Sequence, residues 1–77
     1  MNYTDRIHAD YRVMLGKPVI RGTRITVELL LRKLSEGATT TDLLAMYPTL
    51  TLDDLLAVFQ YASNVLASEE VIMLNAA

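Results

Sequence analysis

The C-terminal part of the chain contains stretches in which apolar residues recur with the period of an α-helix. The first of these has apolar residues at positions i, i+3, i+4 and i+7, which predicts one buried face on a helix that begins near Thr26. Gly37 is suited to end this helix, because glycine adopts left-handed backbone angles easily. The apolar positions are Val27, Leu30, Leu31 and Leu34.

A second, shorter helix is predicted between Thr39 and Pro48. Thr39 and Asp42 have the spacing of a capping box, in which each side chain bonds the backbone N–H of the other residue. Pro48 ends the helix because it cannot donate the next backbone hydrogen bond. The apolar residues of this helix are Leu43, Leu44 and Met46.

The third helix has the clearest start signal in the chain. Thr51 and Asp54 form a second capping box, and Leu50 is placed to contact Leu55 across it. We expect this helix to end at about Ser68.

The third helix carries two apolar stripes. One stripe consists of Leu52, Leu55, Leu56, Phe59, Ala62 and Leu66, and the other of Val58, Tyr61 and Val65. We expect one stripe to lie in the core and the other to bind a partner, and we assign Val58, Tyr61 and Val65 to the partner. The alternative is that a central helix in so small a protein is buried on both sides.

The N-terminal segment has the residues of extended structure rather than of a helix. Tyr11, Val13, Val19 and Ile20 favour short edge strands, and Gly22 supplies a turn position. The predicted fold is mainly α, with short N-terminal β-strands or a ribbon followed by a three-helix bundle that resembles a helix-turn-helix unit. It divides into an N-terminal strand and turn segment (1–25), the three-helix domain (26–68) and a C-terminal apolar tail (69–77).

Composition narrows the class of protein. A chain of 77 residues forms one domain, and its hydrophobic content of 52% exceeds what so small a core can bury, which favours a homodimer or higher oligomer. The chain has no cysteine, so disulfides and thiolate metal sites are excluded. Neither a signal peptide nor a membrane span is visible in the sequence, and we expect a cytoplasmic protein.

Charge is divided unevenly along the chain. Residues 1–35 contain all seven basic side chains and three acidic ones, whereas residues 36–77 contain six acidic side chains and no basic one. The two parts therefore carry net charges of plus four and minus six, and this asymmetry points to a nucleic acid or an acidic partner for the N-terminal part.

The basic turn "GKPVIRGTRIT" is the candidate binding site. Guanidinium groups either side of the Gly22 turn are suited to phosphates or carboxylates, and pairing of two chains along these strands would place two sets of arginines against DNA. The candidate nucleic-acid-binding residues are Arg12, Lys17, Arg21, Thr23 and Arg24. The alternative is structural: Gly22 and Thr23 set the turn, while Arg21 and Arg24 bond Glu28 or Asp54.

The third helix is a poor candidate for reading DNA. Its first turn carries Asp53 and Asp54, and two carboxylates would be repelled by phosphates. The C-terminal tail offers only apolar contacts, and we assign it to a toxin or dimer partner, with a last helical turn packed on its own domain as the alternative. The tail residues in question are Val71, Ile72, Met73 and Leu74.

Catalysis finds no support in the sequence. His8 has no serine or cysteine nearby, and no residue spacing suits a metal or a phosphate-binding loop. We expect neither an enzyme nor a bound cofactor.

Residues 16–62 resemble a known family of small prokaryotic domains, domain-of-unknown-function family 433. The resemblance rests on "GKPVIRGTRI" combined with "YPTLTLDDL". Upstream the chain departs from the family pattern, with Asp10-Tyr11 in place of an Asp-Pro pair and Leu15 in place of a small residue. Many family members are encoded beside a nuclease-like toxin of the PIN type, so the resemblance implies an antitoxin of the VapB kind.

We therefore expect an antitoxin that neutralises a PIN-type nuclease toxin and contacts its own operator DNA through the basic N-terminal segment, thereby regulating its own transcription. Two alternatives remain: a helix-turn-helix transcription regulator without a toxin, and a protein-interaction or assembly domain that does not bind DNA.

Overall fold

The computed structural model describes the backbone of residues 2–76 and the side chains of residues 2–68. A short 3₁₀ turn, Tyr3–Asp5, precedes strand β1, Ile7–His8. A tight turn, Met14–Gly16, leads to strand β2, Val19–Ile20, and three helices follow: α1, Val27–Ser35; α2, Thr40–Met46; and α3, Leu52–Ala76. The predicted mainly-α fold with short N-terminal strands and three helices is confirmed.

The two strands pair with each other within one chain. They are antiparallel, with Ile7 opposite Ile20 and His8 opposite Val19. β1 and the 3₁₀ turn before it lie against α3, so the start of the chain packs on its last helix. The amide N–H of Tyr3 donates to Oε1 of Gln60 at 3.1 Å.

The helix starts follow their predicted caps. The Thr26 hydroxyl accepts the N–H of Leu29 at 3.0 Å and caps α1. Thr39 and Asp42 form the predicted capping box of α2. Gly37, with a φ of +106°, follows the end of α1 in the predicted left-handed conformation.

The start of α3 is also confirmed, but its end is not. The N–H of Thr51 donates to Oδ2 of Asp54 at 3.0 Å, and the N–H of Asp54 donates to the Thr51 hydroxyl at 3.2 Å. α3 then continues through Ser68 to Ala76 instead of ending at Ser68. Its sequence contains neither glycine nor proline, so nothing in the chain interrupts the helical hydrogen bonds.

The core lies between the β-hairpin and the three helices. One face of α1, the middle of α2 and the first turns of α3 enclose it, as the apolar spacing of α1 predicts. Its buried members are Ile7, Ile20, Val27, Leu30, Leu43, Leu50, Leu55, Ala57 and Val58.

The assignment of the two stripes of α3 is wrong. Val58 is fully buried, and Tyr61 is half-buried with its ring edge-on to Tyr3 at 5.8 Å between centroids. Val58 is therefore not available to a partner in this fold, and Tyr61 is only partly so. Val65 remains exposed, because it lies beyond the last residues of α3 that contact the core.

The stripe expected to form the core is largely exposed instead. Only Leu55 is buried in it, while Leu52, Leu56, Phe59 and Leu66 are exposed. The face of α3 that packs on the core contains Asp54 and, at i+3, i+4 and i+7 from it, Ala57, Val58 and Tyr61. Because this face includes a polar residue, the apolar pattern alone does not identify it. We call the exposed set Leu52, Leu56, Phe59 and Leu66 the α3 apolar face.

Candidate nucleic-acid interface

The basic turn is built as its residues predict. Gly22 has a φ of +79°, and the N–H of Thr23 donates to the carbonyl oxygen of Ile20 at 3.0 Å, which closes a four-residue β-turn. The Thr23 hydroxyl donates to the same carbonyl at 2.7 Å and accepts the N–H of Ile25 at 3.0 Å. Thr23 therefore holds the turn in shape, which was the structural alternative for this residue.

Arg21 fastens the turn to the start of the chain. Its Nε donates to the carbonyl oxygen of Asp5 at 3.0 Å and its Nη2 to that of Thr4 at 3.3 Å. Its backbone N–H donates to the carbonyl oxygen of Arg6 at 2.8 Å. Arg21 therefore has the structural role given above as the alternative, but its partners are backbone carbonyls rather than Glu28 or Asp54.

Arg24 has a different environment. Among residues 2–68 its side chain has no hydrogen-bond or ion-pair partner, and it is exposed. It lies between two open concavities. The first, of about 530 Å³, is lined by His8, Val13, Val19 and the turn from Arg21 to Arg24. Arg24 is thus a cation held at a rigid turn with its charge directed to solvent.

The second concavity, of about 250 Å³, also has Arg24 on its wall. Lys17 and Arg32 line it with Glu28 between them. Nζ of Lys17 lies 3.5 Å from Oε2 of Glu28, and Nη2 of Arg32 lies 3.3 Å from Oε1 of the same carboxylate. Three cations, Lys17, Arg24 and Arg32, line this concavity with one carboxylate, Glu28. The lining therefore has a net positive charge.

Arg12 and Asp10 form an ion pair in the segment that joins β1 to β2. Nε of Arg12 donates to Oδ1 of Asp10 at 3.2 Å and Nη2 donates to Oδ2 at 2.9 Å. These bonds lower the pKa of the Asp10 carboxyl and raise the pKa of Arg12. Nε2 of His8 lies 3.9 Å from the same carboxylate. Within residues 2–68, no three metal-ligating side chains come together.

The predicted basic residues therefore have unequal roles. Arg24 has no partner among residues 2–68, Arg12 and Lys17 are exposed but paired, and Arg21 and Thr23 hold the turn. We call the set Arg12, Lys17, Arg24 and Arg32 the basic surface.

One important cation escaped the sequence analysis. Nη1 of Arg6 donates to Oδ1 of Asp54 at 3.0 Å, and its Nη2 lies 3.5 Å from Oδ2 of Asp53. Arg6 thus bonds the capping box of α3, and the acids of that first turn serve the fold. The adjacent acids Asp53 and Asp54 indicate that a cation lies near them. The sequence around them does not identify Arg6 as that cation, because Arg6 is distant in the chain.

The α3 apolar face is a second surface, built from helical residues. The tail residues assigned to a partner, Val71, Ile72, Met73 and Leu74, continue the backbone of α3, but their side chains lie outside the described residues. In the part of the chain that the structure describes, no helix is both long and apolar enough to cross a membrane.

The fold and its two surfaces define a small, mainly-α domain that carries a basic turn beside three helices. The family model "Protein of unknown function (DUF433)" matches residues 7–62, so the chain belongs to this family, as its motifs predict. The chain is similar to a DUF433 member protein from Anabaena variabilis ATCC 29413, whose crystal structure matches with a TM-score of 0.76 and 35% identity. The match covers 94% of this chain and 69% of that one. A search of curated proteins gave no match.

Proposed function

We propose that the protein is an antitoxin-type regulator, which contacts operator DNA through its basic surface and a PIN-type nuclease toxin through the α3 apolar face. The observation that carries the proposal is Arg24, an exposed guanidinium without a partner among residues 2–68 at the edge of two concavities. Guanidinium groups bind phosphate by two parallel hydrogen bonds, and a rigid turn reduces the entropy lost on binding.

The cations of the basic surface support a phosphate-binding role. Lys17, Arg24 and Arg32 line one concavity, and their single acid, Glu28, does not neutralise all three. Phosphates can replace Glu28 as partners of Lys17 and Arg32, because both ion pairs are exposed to solvent. The same replacement is open to Arg12, whose bonds to Asp10 lie in solvent.

The α3 apolar face supports a protein partner. Four large apolar side chains on one helix face are exposed, and a helix face of this kind is suited to bind a protein partner. The family resemblance implies that the partner is a toxin. The proposal places the protein in the cytoplasm, where operator DNA is found.

DNA binding is tested by titrating the protein against its upstream DNA over a series of salt concentrations, comparing wild type with Arg24→Ala. We expect weaker binding and a slope of log affinity against log salt that is lower by about one, the signature of one lost phosphate contact. Lys33→Ala is the matched control, since it removes the same charge from a side chain outside the basic surface. Equal effects of the two substitutions would refute a contact through Arg24.

The toxin partner is tested by co-expression with the protein encoded next to it, followed by co-purification. Leu66→Gln should weaken the complex, because it places an amide on the apolar face while keeping a good helix former. Ser68→Gln adds the same side chain to an exposed position of α3 outside this face. DNA binding without a complex would favour a regulator that has no toxin, and a complex without DNA binding would favour an interaction domain.

A further inference from the structure

The turn between β1 and β2 presents large apolar side chains to solvent. Leu15 is 77% exposed and Tyr11 is 78% exposed, and Met14 beside them is also exposed. The backbone of Tyr11 lies close to Gly16, where an added Cβ would be 3.7 Å from the Tyr11 Cα. These residues therefore share one small projection, which we call the apolar tip: Tyr11, Met14 and Leu15.

The apolar tip is strained. Met14 and Leu15 have φ angles of 51° and 57°, in the left-handed region that costs a residue with a Cβ free energy. Backbone bonds hold them there: the N–H of Gly16 donates to the Val13 carbonyl at 3.1 Å, and the N–H of Lys17 donates to that of Met14 at 3.2 Å. Glycine or asparagine would adopt these angles at lower cost. An exposed leucine here adds strain and no core contact, and strain of this kind clusters at functional sites.

Cations flank the apolar tip. The side chain of Arg12 is 87% exposed next to Tyr11, and Lys17 follows Gly16. Met14 lines the concavity that Lys17, Arg24 and Arg32 share. The tip is therefore an apolar projection set within the basic surface.

From this juxtaposition we infer that the apolar tip is a DNA wedge, which inserts Leu15 between base pairs from the minor groove while Arg12 and Lys17 contact the adjacent phosphates. The inference rests on the proposed DNA binding and specifies how it occurs. Leucine and methionine are among the side chains that enter base steps in this way, and the inserted side chain unstacks the step and bends the duplex.

The size of the tip favours DNA over a lipid surface. One or two apolar side chains fill an opened base step, whereas membrane binding strength grows with the apolar area buried and requires a larger face. The rigid turn also suits DNA, because a wedge must resist the restacking of the bases it separates.

The test measures bending and affinity together. A duplex of roughly 30 base pairs with a central TA step, a flexible step that is easily kinked, carries a fluorophore at each end so that energy transfer reports the distance between its ends. We expect wild type to bend it. Leu15→Ala retains a Cβ, so its backbone strain at this position is the same as in wild type. We expect this variant to abolish the bend and to weaken binding about tenfold. The salt slope should be unchanged, because the phosphate contacts remain.

Two further variants separate the wedge from the fold. Leu15→Gly relieves the left-handed strain, so it should melt at a higher temperature than wild type and yet fail to bend the duplex. Met46→Ala removes an exposed apolar side chain from α2, and we expect it to bend the duplex as wild type does.

The outcomes are distinguishable. Wild type that binds the duplex without bending it, or Leu15→Ala that bends it fully, would overturn the wedge and leave the proposed DNA binding in place. Absence of any DNA binding would overturn both. If Leu15→Ala instead lost binding to phosphatidylserine vesicles while bending DNA normally, the tip would be a membrane contact and the inference would be wrong.

Discussion

Replacing Asp54 by alanine should destabilise the protein far more than replacing its neighbour Asp53. The Asp54 side chain is 11% exposed and makes two contacts: its Oδ2 accepts the N–H of Thr51 and its Oδ1 accepts a bond from Arg6. The Asp53 side chain is 60% exposed, and its contact to Arg6 is longer, at 3.5 Å. The two substitutions remove the same group from the same helical turn, so they form a matched pair.

The magnitude follows from these contacts. Asp54→Ala keeps the Thr51 cap but loses the reciprocal bond of the capping box, from the Thr51 N–H to the Asp54 carboxylate, which contributes about 1 kcal/mol. A hydrogen bond to a charged group contributes about 1.5 to 3 kcal/mol, and the partial exposure of Arg6 argues for the lower end. We therefore expect Asp54→Ala to lose about 2 to 3 kcal/mol of unfolding free energy. Asp53→Ala loses a surface ion pair and a favourable charge near the helix start, about 0.5 kcal/mol together.

Urea unfolding followed by circular dichroism measures this difference directly. For a domain of this size, the expected loss for Asp54→Ala corresponds to a fall in Tm of about 10 to 20 °C. Arg6→Met keeps the apolar stem and removes the charge, and a double-mutant cycle with Asp54→Ala should give a coupling of about 1 to 2 kcal/mol. Equal stabilities of the two alanine variants, within about 0.5 kcal/mol, would refute the reasoning.

Two other variants test local features of the fold. The N–H of Thr39 donates to the Asp42 carboxylate and lowers the pKa of Asp42 below its ordinary value, so the charge stabilises the fold at neutral pH and this contribution is lost as the pH falls through the lowered pKa. The difference in Tm between wild type and Asp42→Asn should be constant near pH 7 and should shrink below about pH 4. A difference that grows in acid would contradict this. Gly22→Ala should cost about 1 kcal/mol in urea unfolding, because φ is +79° while an added Cβ meets no atom within 4 Å; an unchanged stability would show that the turn relaxes.

The features that the sequence predicted correctly depend on neighbours within a few residues. Thr26, Thr39 and Thr51 cap their helices because the groups they bond lie in the next turn. The turn at Gly22 follows from glycine's backbone freedom in the same way. Such local interactions are visible in a single sequence.

The wrong predictions concern features that depend on contacts between residues far apart in the sequence. Asp54 lies on the inward side of α3, where it bonds Arg6, 48 positions away. A count of apolar positions assigns Asp54 to the outside and therefore selects the wrong stripe for the core. The contacts of Arg21 to the carbonyls of Thr4 and Asp5 are equally invisible, since every residue offers a carbonyl oxygen.

The contacts between the start of the chain and α3 also set the order in which the protein can fold during synthesis. Tyr3 and Arg6 bond residues 48 to 57 positions later, so these contacts of the N-terminal segment cannot form until α3 has been made. At ribosomal rates of roughly 5 to 20 residues per second, this leaves the N-terminal segment undocked for several seconds. During that time the apolar side chains of Tyr3 and Ile7 are accessible to chaperones and proteases. β1 is synthesised before α3, and its contacts to α3 can form only when α3 is present.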